Sequence, residues 1–277
     1  MRDTTPVPDG PHGDLLAPLR EHPDRAAILL DVDGTLAPIT TRAADAAVPE
    51  ATRAVVAAVV ARYGLVACIT GRRTEDARAM VGVDGLHYVG NHGTEILRHG
   101  ADGPEVRPEI ADWEPRVREL AEGLLAGTQD DGPAARDLRL EDKGPIQALH
   151  WRGADDEDAS EAVAESIGAR AEAEGLVLHR GRMVLELRPP VPFDKGAAVR
   201  WLLDGRPSGP ALYAGDDRTD LDAFAGLREL RSAGALTHAV CVAAVDVGAP
   251  QEVSDGADVT VAGTDGVRAM LEGLLLP

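Results

Sequence analysis

Four short stretches of this chain carry residues able to do chemistry. The first is Asp31-Val32-Asp33-Gly34-Thr35, at the end of the apolar run Ala26–Val32. Two carboxylates two residues apart at a strand end can both approach one phosphoryl group. A carboxylate attacking phosphorus needs its charge offset, and the departing alkoxide needs a proton, so one acid for each task suffices. A calcium loop is excluded, because Leu36 stands where its glycine belongs and Arg42 where its bidentate glutamate belongs. The second stretch, Ile69-Thr70-Gly71-Arg72, offers a hydroxyl and backbone N–H groups to a phosphoryl oxygen. Thr-Gly is equally an ordinary strand-to-helix turn. The third, Pro192-Phe193-Asp194-Lys195-Gly196, opens a helix with a lysine that, taken alone, reads as a surface residue. The fourth, Gly215-Asp216-Asp217-Arg218-Thr219-Asp220, crowds three acids behind an apolar strand. Acids so placed repel one another unless a cation is present. Ligands that are all oxygen call for a hard metal, Mg²⁺ above all.

The patterning between these stretches says what must hold them. Ala26–Val32 and Leu65–Ile69 are unbroken apolar runs, His87–Val89 is a shorter one, and Ala211–Ala214 and Ala239–Val245 resume the style. Such runs are buried parallel strands, and all four chemical stretches fall at or beside their carboxyl ends, where α/β sheets build sites. Helices are expected over Pro49–Tyr63, Thr74–Met80, 195–203, Asp220–Leu230 and Gly266–Leu275, with a short amphipathic stretch at Asp14–Glu21. In between, the style changes. A helix over Ile110–Leu125 precedes a Gly/Asp/Pro-rich loop, an alternating strand Ile146–Arg152 and a long helix Ala154–Glu174. Strands Leu176–His179 and Met183–Arg188 then turn about Gly181-Arg182. The expectation is an α/β chain: a tail and short helix over 1–25, a parallel-sheet core over 26–97 and 190–277, and an inserted α+β domain over 98–189.

With DxDGT and GDDxxD in this order around Thr70 and Lys195, the chain resembles the haloacid dehalogenase superfamily of phosphohydrolases. The resemblance implies a Rossmann-like core with a C2B-type cap. It implies that Asp31 attacks phosphorus, that Asp33 protonates the leaving oxygen and then activates water, and that Thr70 and Lys195 hold the phosphoryl oxygens. Mg²⁺ would be bound by Asp31, the Asp33 carbonyl and Asp216, with Asp217 and Asp220 completing the metal site as residues that orient its shell. An insertion after Thr70 separates the chain from phosphoglucomutase-type relatives, and Asp33 separates it from ion pumps.

Asp31–Ile39 (DVDGTLAPI), Gly90-Asn91-His92-Gly93, LEDKG, ALHWR and LELRP further resemble the trehalose-6-phosphate phosphatase family along most of residues 26–275. That resemblance implies sugar contacts from Asn91, His92 and Gly93 and, in the insertion, from Glu141, Lys143, Arg152, Arg182 and Glu186. A period of two puts His150 with Arg152, and Val184 with Glu186 and Arg188, on one face each. A polar row of this kind suits a sugar's hydroxyls, and equally suits a solvated sheet face. Two departures stand out: Thr41-Arg42-Ala43-Ala44 replaces a usual Pro-Asp pair, and Trp151 replaces a tyrosine. The implied activity is Mg²⁺-dependent hydrolysis of trehalose 6-phosphate through an aspartyl phosphate. The alternatives are the same chemistry on a related phosphorylated sugar or pseudo-disaccharide, such as an aminocyclitol antibiotic intermediate, and a catalytically silent partner of a synthase.

The 277 residues are 44% hydrophobic and 27% charged, an ordinary mixture for burying a core, although only 3% are aromatic. The formal charge of −19 argues against nucleic acid as a partner. It also repels a phosphate, which makes a local cation the more necessary. Cys68 and Cys241 sit inside apolar runs and read as small buried hydrophobes. With neither a leader nor an apolar run of membrane length, the expectation is a cytoplasmic chain that meets no membrane. It is expected to act as a monomer on a small phosphorylated disaccharide.

Overall fold

A computed structural model of the protein describes residues 13–40, 45–246 and 248–277. Residues 1–12 of the expected N-terminal tail and the Thr41–Ala44 departure lie outside the described residues. Two compact units divide the chain: one runs to Glu105 and resumes from Phe193 to Pro277, and the other is Val106–Pro192. The first comprises α1 (Gly13–Glu21), β1 (Ala27–Leu30), α2 (Glu50–Arg62), β2 (Leu65–Ile69), α3 (Thr74–Val81), β3 (His87–Gly90) and β4 (Glu95–Leu97), with β5 (Glu105–Val106) at the boundary. The second holds α4 (Pro108–Ala111), α5 (Glu114–Ala126), α6 (Pro133–Arg136), β6 (Arg139–Asp142), β7 (Gln147–His150), α7 (Glu157–Ala173), β8 (Val177–Gly181) and β9 (Val184–Arg188). The first resumes as α8 (Lys195–Leu203), β10 (Gly209–Gly215), α9 (Asp220–Ser232), β11 (Leu236–Val245), α10 (Gln251–Gly256), β12 (Val259–Ala262) and α11 (Gly263–Leu274).

The apolar runs become strands buried on both faces, because alternate residues feed two separate cores. Ile28, Leu30, Val66, Cys68, Leu212 and Val242 pack with α2 and α11 on one side. Ala27, Leu29, Ala67, Ile69, Tyr213 and Cys241 pack with α8 and α9 on the other. The strand order is β12-β11-β10-β1-β2-β3-β4-β5. Pairing is parallel from β12 through β3 and turns antiparallel at β3–β4. From β1 the chain builds outward through β2 and β3, then returns to add β10 and β11 on the other side. The order therefore reverses between β1 and β10, and it is beyond the carboxyl ends of strands at such a reversal that α/β sheets place their sites.

In the second unit the sheet is antiparallel, ordered β6-β7-β9-β8. One face, carrying Leu149, Leu185 and Leu187, packs with Trp151 on residues of α5 and α7 such as Val117, Ala121, Ala164 and Ile167. Asp156 starts α7 by accepting the Ala159 amide at 3.0 Å.

Three expectations are corrected. The helix over Ile110–Leu125 is two helices, α4 and α5, because Pro115 has no amide proton to continue the ladder. Arg139–Asp142, read as loop, is strand β6; Arg-Leu-Glu-Asp at a sheet edge has one apolar residue and shows no period. The stretch after β11 adds α10 and β12, elements too short to show a pattern.

Candidate active site

Asp31 follows β1 directly, and its amide donates to the Ala214 carbonyl at 2.8 Å, which pins it beside β10. Its side chain is buried, at 5% exposure for the residue. Lys195 is the first residue of α8, whose start is fixed by Asp194 accepting the Ala197 amide at 2.6 Å. That placement turns an apparent surface lysine inward. Its Nζ donates to Asp31 Oδ1 at 2.9 Å and to Asp220 Oδ1 at 2.6 Å. Asp220, at the start of α9, is fully engaged. Its Oδ1 also accepts the Tyr213 hydroxyl at 2.6 Å, and its Oδ2 accepts the amides of Asp216 and Asp217 at 2.8 and 2.9 Å. Asp220 thus shapes the loop that presents Asp216.

Carboxylate oxygens of Asp31, Asp216 and Asp220 lie within 4.8 Å of one another. The buried Lys195 ammonium pairs with Asp31 and Asp220. Burial pushes the Asp31 carboxyl well above the ordinary range, with Asp220 and Asp216 adding to the rise and Lys195 opposing it. Burial also raises Asp216 to about 7, again with its acidic neighbours Asp220 and Asp217. Burial lowers the proton affinity of Lys195, but Asp220 and Asp31 outweigh it and hold the ammonium charged. The site is short of positive charge, and a divalent cation would make up the deficit. Asp31 and Asp216 are the carboxylates left to meet it. The carboxylate of Asp217 instead accepts the Thr219 amide and hydroxyl at 2.6 and 2.7 Å.

Asp216 lies against the first motif. Gly34 has φ +81, and a Cβ there would come within 2.0 Å of Asp216 Oδ2. Only glycine supplies both the left-handed turn and the room. Thr35 Oγ1 is 3.5 Å from Asp216 Oδ1. Asp216 also borders a cavity of about 390 Å³ whose other walls include Ile39, Asp246 and Pro250. Asp31, Asp33, Thr70 and Lys195 do not line it.

Asp33 is held elsewhere. Arg72 Nε donates to its Oδ2 at 2.7 Å and Arg72 Nη2 to its Oδ1 at 2.6 Å, a two-pronged clamp. Thr70 is buried, and its Oγ1 accepts the Arg72 amide at 3.2 Å. Asn91 and His92 both adopt left-handed backbone, at φ 47 and 57. Their amides donate to the carbonyls of Arg72 at 2.8 Å and Thr70 at 3.0 Å. The His92 ring covers Gly71, and Gly93 comes against the Asp194 carbonyl. The structure therefore brings Asn91, His92 and Gly93 to the loops that carry Thr70 and Lys195. Sequence reasoning gave no role to Arg72 or Tyr213. Arg72 stood inside a quoted motif, and Tyr213 was an aromatic in a buried strand, where a hydroxyl normally needs a partner.

Within the second unit, the sheet face opposite the apolar core is a polar cluster. Lys143 Nζ is 3.1 Å from Glu186 Oε1, and Glu141 Oε2 is 2.7 Å from His150 Nε2. The His150 hydrogen bond, with Lys143 nearby, holds Glu141 below the usual carboxylate range despite partial burial. Arg188, which had no assigned role, donates to Glu186 Oε2 from Nε at 2.9 Å and Nη2 at 2.5 Å. Arg152 and Arg182 are exposed, and Arg152 Nη2 reaches the Arg182 carbonyl at 3.4 Å.

A family model for trehalose-phosphatase matches residues 29–256. The chain belongs to the trehalose-phosphatase family. A trehalose-phosphate phosphatase of Mycobacterium marinum is 35% identical over 205 residues, covering 72% of this chain and 51% of that protein. The chain spans about half the length of the curated relatives it matches. The solved C-terminal domain of a trehalose-6-phosphate phosphatase from C. albicans superposes with a TM-score of 0.70 at 19% identity, covering 95% of this chain and 96% of that one. A haloacid dehalogenase-like hydrolase from Bacteroides thetaiotaomicron gives 0.58 at 16% identity, covering 89% and 98%. At those identities the likeness concerns the fold, which is that of haloacid dehalogenase-like hydrolases. No helix among the described residues is long and apolar enough to cross a membrane.

Proposed function

We propose that this member of the trehalose-phosphatase family hydrolyses trehalose 6-phosphate to trehalose and phosphate, with Asp31 as nucleophile. The observation that carries the reading is the buried Asp31 carboxylate, bonded to Lys195 and grouped with Asp216 and Asp220 at the point where strand order reverses. Lys195 favours the ionised Asp31 that attack requires. The Lys195 ammonium and the Thr70 hydroxyl receive phosphoryl oxygens as charge spreads over them. As Asp31 forms its bond to phosphorus, the bond to the sugar oxygen breaks, and Asp33, which must leave the Arg72 clamp and carry a proton for this step, gives that proton to the departing oxygen. Asp33 then takes a proton from the water that attacks the aspartyl phosphate, which releases phosphate and restores Asp31.

Asp31, Asp216 and the main-chain carbonyl of Asp33 would hold Mg²⁺, with Asp217 and Asp220 orienting them; when bound, the ion supplies positive charge to the phosphoryl group. Asp31 and Asp216, raised by burial and by neighbouring acids, are suited to such a hard cation. The sugar is met by Asn91, His92 and Gly93 and by Glu141, Lys143, Arg152, Arg182 and Glu186. The polar clustering of Glu141, Lys143 and Glu186 on one sheet face supports that assignment. The test is phosphate release from trehalose 6-phosphate with Mg²⁺ and with EDTA, beside a panel of other phosphorylated sugars. The reading expects the highest kcat/KM on trehalose 6-phosphate and none in chelator. Faster turnover of another sugar phosphate would move the substrate, and full turnover in EDTA would remove the metal.

A further inference from the structure

The polar face of the β6-β7-β9-β8 sheet contains a carboxylate held by two cationic side chains, one at each oxygen. Glu186 lies on the inner strand β9, between Ala148 and His179 in register, and is only 6% exposed. A carboxylate so buried requires compensation. Lys143 gives it at Oε1, 3.1 Å away, and because Lys143 follows β6 this bond also joins separate parts of the sheet. Arg188 is different. It belongs to the same strand as Glu186, two residues on, and its Nε and Nη2 both donate to Oε2. It also stands on the face opposite Leu185 and Leu187, which carry the apolar packing. What two donors on one oxygen do accomplish is to stop the carboxylate from rotating about its last bond.

We propose that Arg188 is a positioning residue for sugar recognition, holding Glu186 in the orientation that accepts a hydrogen bond from a sugar hydroxyl. The inference rests on the reading that the chain acts on a phosphorylated disaccharide. A site built to bond a hydroxyl discriminates strongly only when its acceptor cannot turn to satisfy itself elsewhere. Arg188 supplies that rigidity, while Lys143 supplies the charge balance.

The experiment is a double-mutant cycle on the full chain with Mg²⁺: wild type, Arg188→Met, Glu186→Gln and both together, with Arg188→Lys as the conservative variant. Each is measured on trehalose 6-phosphate and on a small aryl phosphate. Arg188→Met should lower the ratio of kcat/KM between the two substrates about ten- to a hundredfold. In the Glu186→Gln background the same change should cost less than about twofold, because the acceptor it positions has changed. Arg188→Lys, with the charge but no fork, should recover part of the loss. The inference is overturned if the two losses multiply independently, if both substrates suffer equally, or if the ratio does not move. Wild-type protein inactive on trehalose 6-phosphate would defeat the substrate reading alone. The cycle is then run on the phosphorylated sugar hydrolysed fastest, where the same coupling decides. Should no phosphorylated sugar be hydrolysed, both readings fall together.

Discussion

The two polar clusters of this protein are built on opposite plans. In the first unit Lys195 gathers Asp31 from 164 residues away and Asp220 from 25, and all three side chains are nearly sealed from solvent. In the second, Glu186 is held by Arg188 from its own strand and by Lys143 from the turn after β6, and Glu141 by His150 from the neighbouring strand. The first cluster keeps an imbalance of charge where both faces of the sheet are covered, so each group is costly to displace and strongly felt by its neighbours. The second stands on the sheet face opposite the apolar packing of its own unit, where balanced pairs can offer hydrogen bonds. Chemistry at phosphorus calls for the former plan and recognition of hydroxyls for the latter.

The sharpest way to break this contrast is to remove the central cation. Lys195→Met leaves Asp31 and Asp220 buried without their ammonium, which should cost about 3–5 kcal/mol of stability in urea unfolding. Turnover should fall at least about a hundredfold on every substrate. A variant with unchanged unfolding and activity would mean that Lys195 is not the keystone of the site.

The corresponding change in the second unit should be milder and selective. Lys143→Ala should lower kcat/KM on trehalose 6-phosphate by about ten- to a hundredfold, with a smaller loss on an aryl phosphate. Equal losses on both substrates would assign Lys143 to the fold and not to the sugar.

The contrast also explains what the sequence could reveal. Asp31, Thr70 and Asp216 each stand where an apolar run stops, so buried strands announced them. Lys195 was recognisable only in their company, because nothing local shows that Asp194 turns it inward. The individual roles of Asp216, Asp217 and Asp220 were not legible: three similar acids differ only in which donors reach them. The partner of Arg72 is 39 residues away, across strands whose pairing no local pattern states. Arg188 was placed on the right face by its period of two, but periodicity gives a direction and not a bond. Strand β6 was missed because its charged residues hide the alternation.

A smaller effect concerns pH in the metal-free protein. Asp216, raised from 3.8 to about 7 by burial and its acidic neighbours, binds a proton more tightly folded than unfolded. It therefore favours the folded state at low pH, and that contribution is lost as pH rises through about 7. In EDTA, Asp216→Asn should flatten the fall in Tm between about pH 4 and 7, each kcal/mol being worth roughly 2–4 °C in a chain of this size. Mg²⁺ should flatten it in the wild type as well. Parallel Tm profiles for variant and wild type would show that Asp216 does not carry the strain.

In the proposed reaction phosphate passes through Asp31, with Asp33 moving the protons. In Asp33→Asn, attack on an aryl phosphate remains possible because the leaving group needs little help, while the water of the second step loses its base. Mixing that variant with an aryl phosphate and Mg²⁺, quenching, and mapping phosphate by mass spectrometry should find it on the peptide bearing Asp31, and Asp31→Asn should remove it together with all turnover. Phosphate on another residue, or turnover surviving in Asp31→Asn, would contradict the claim.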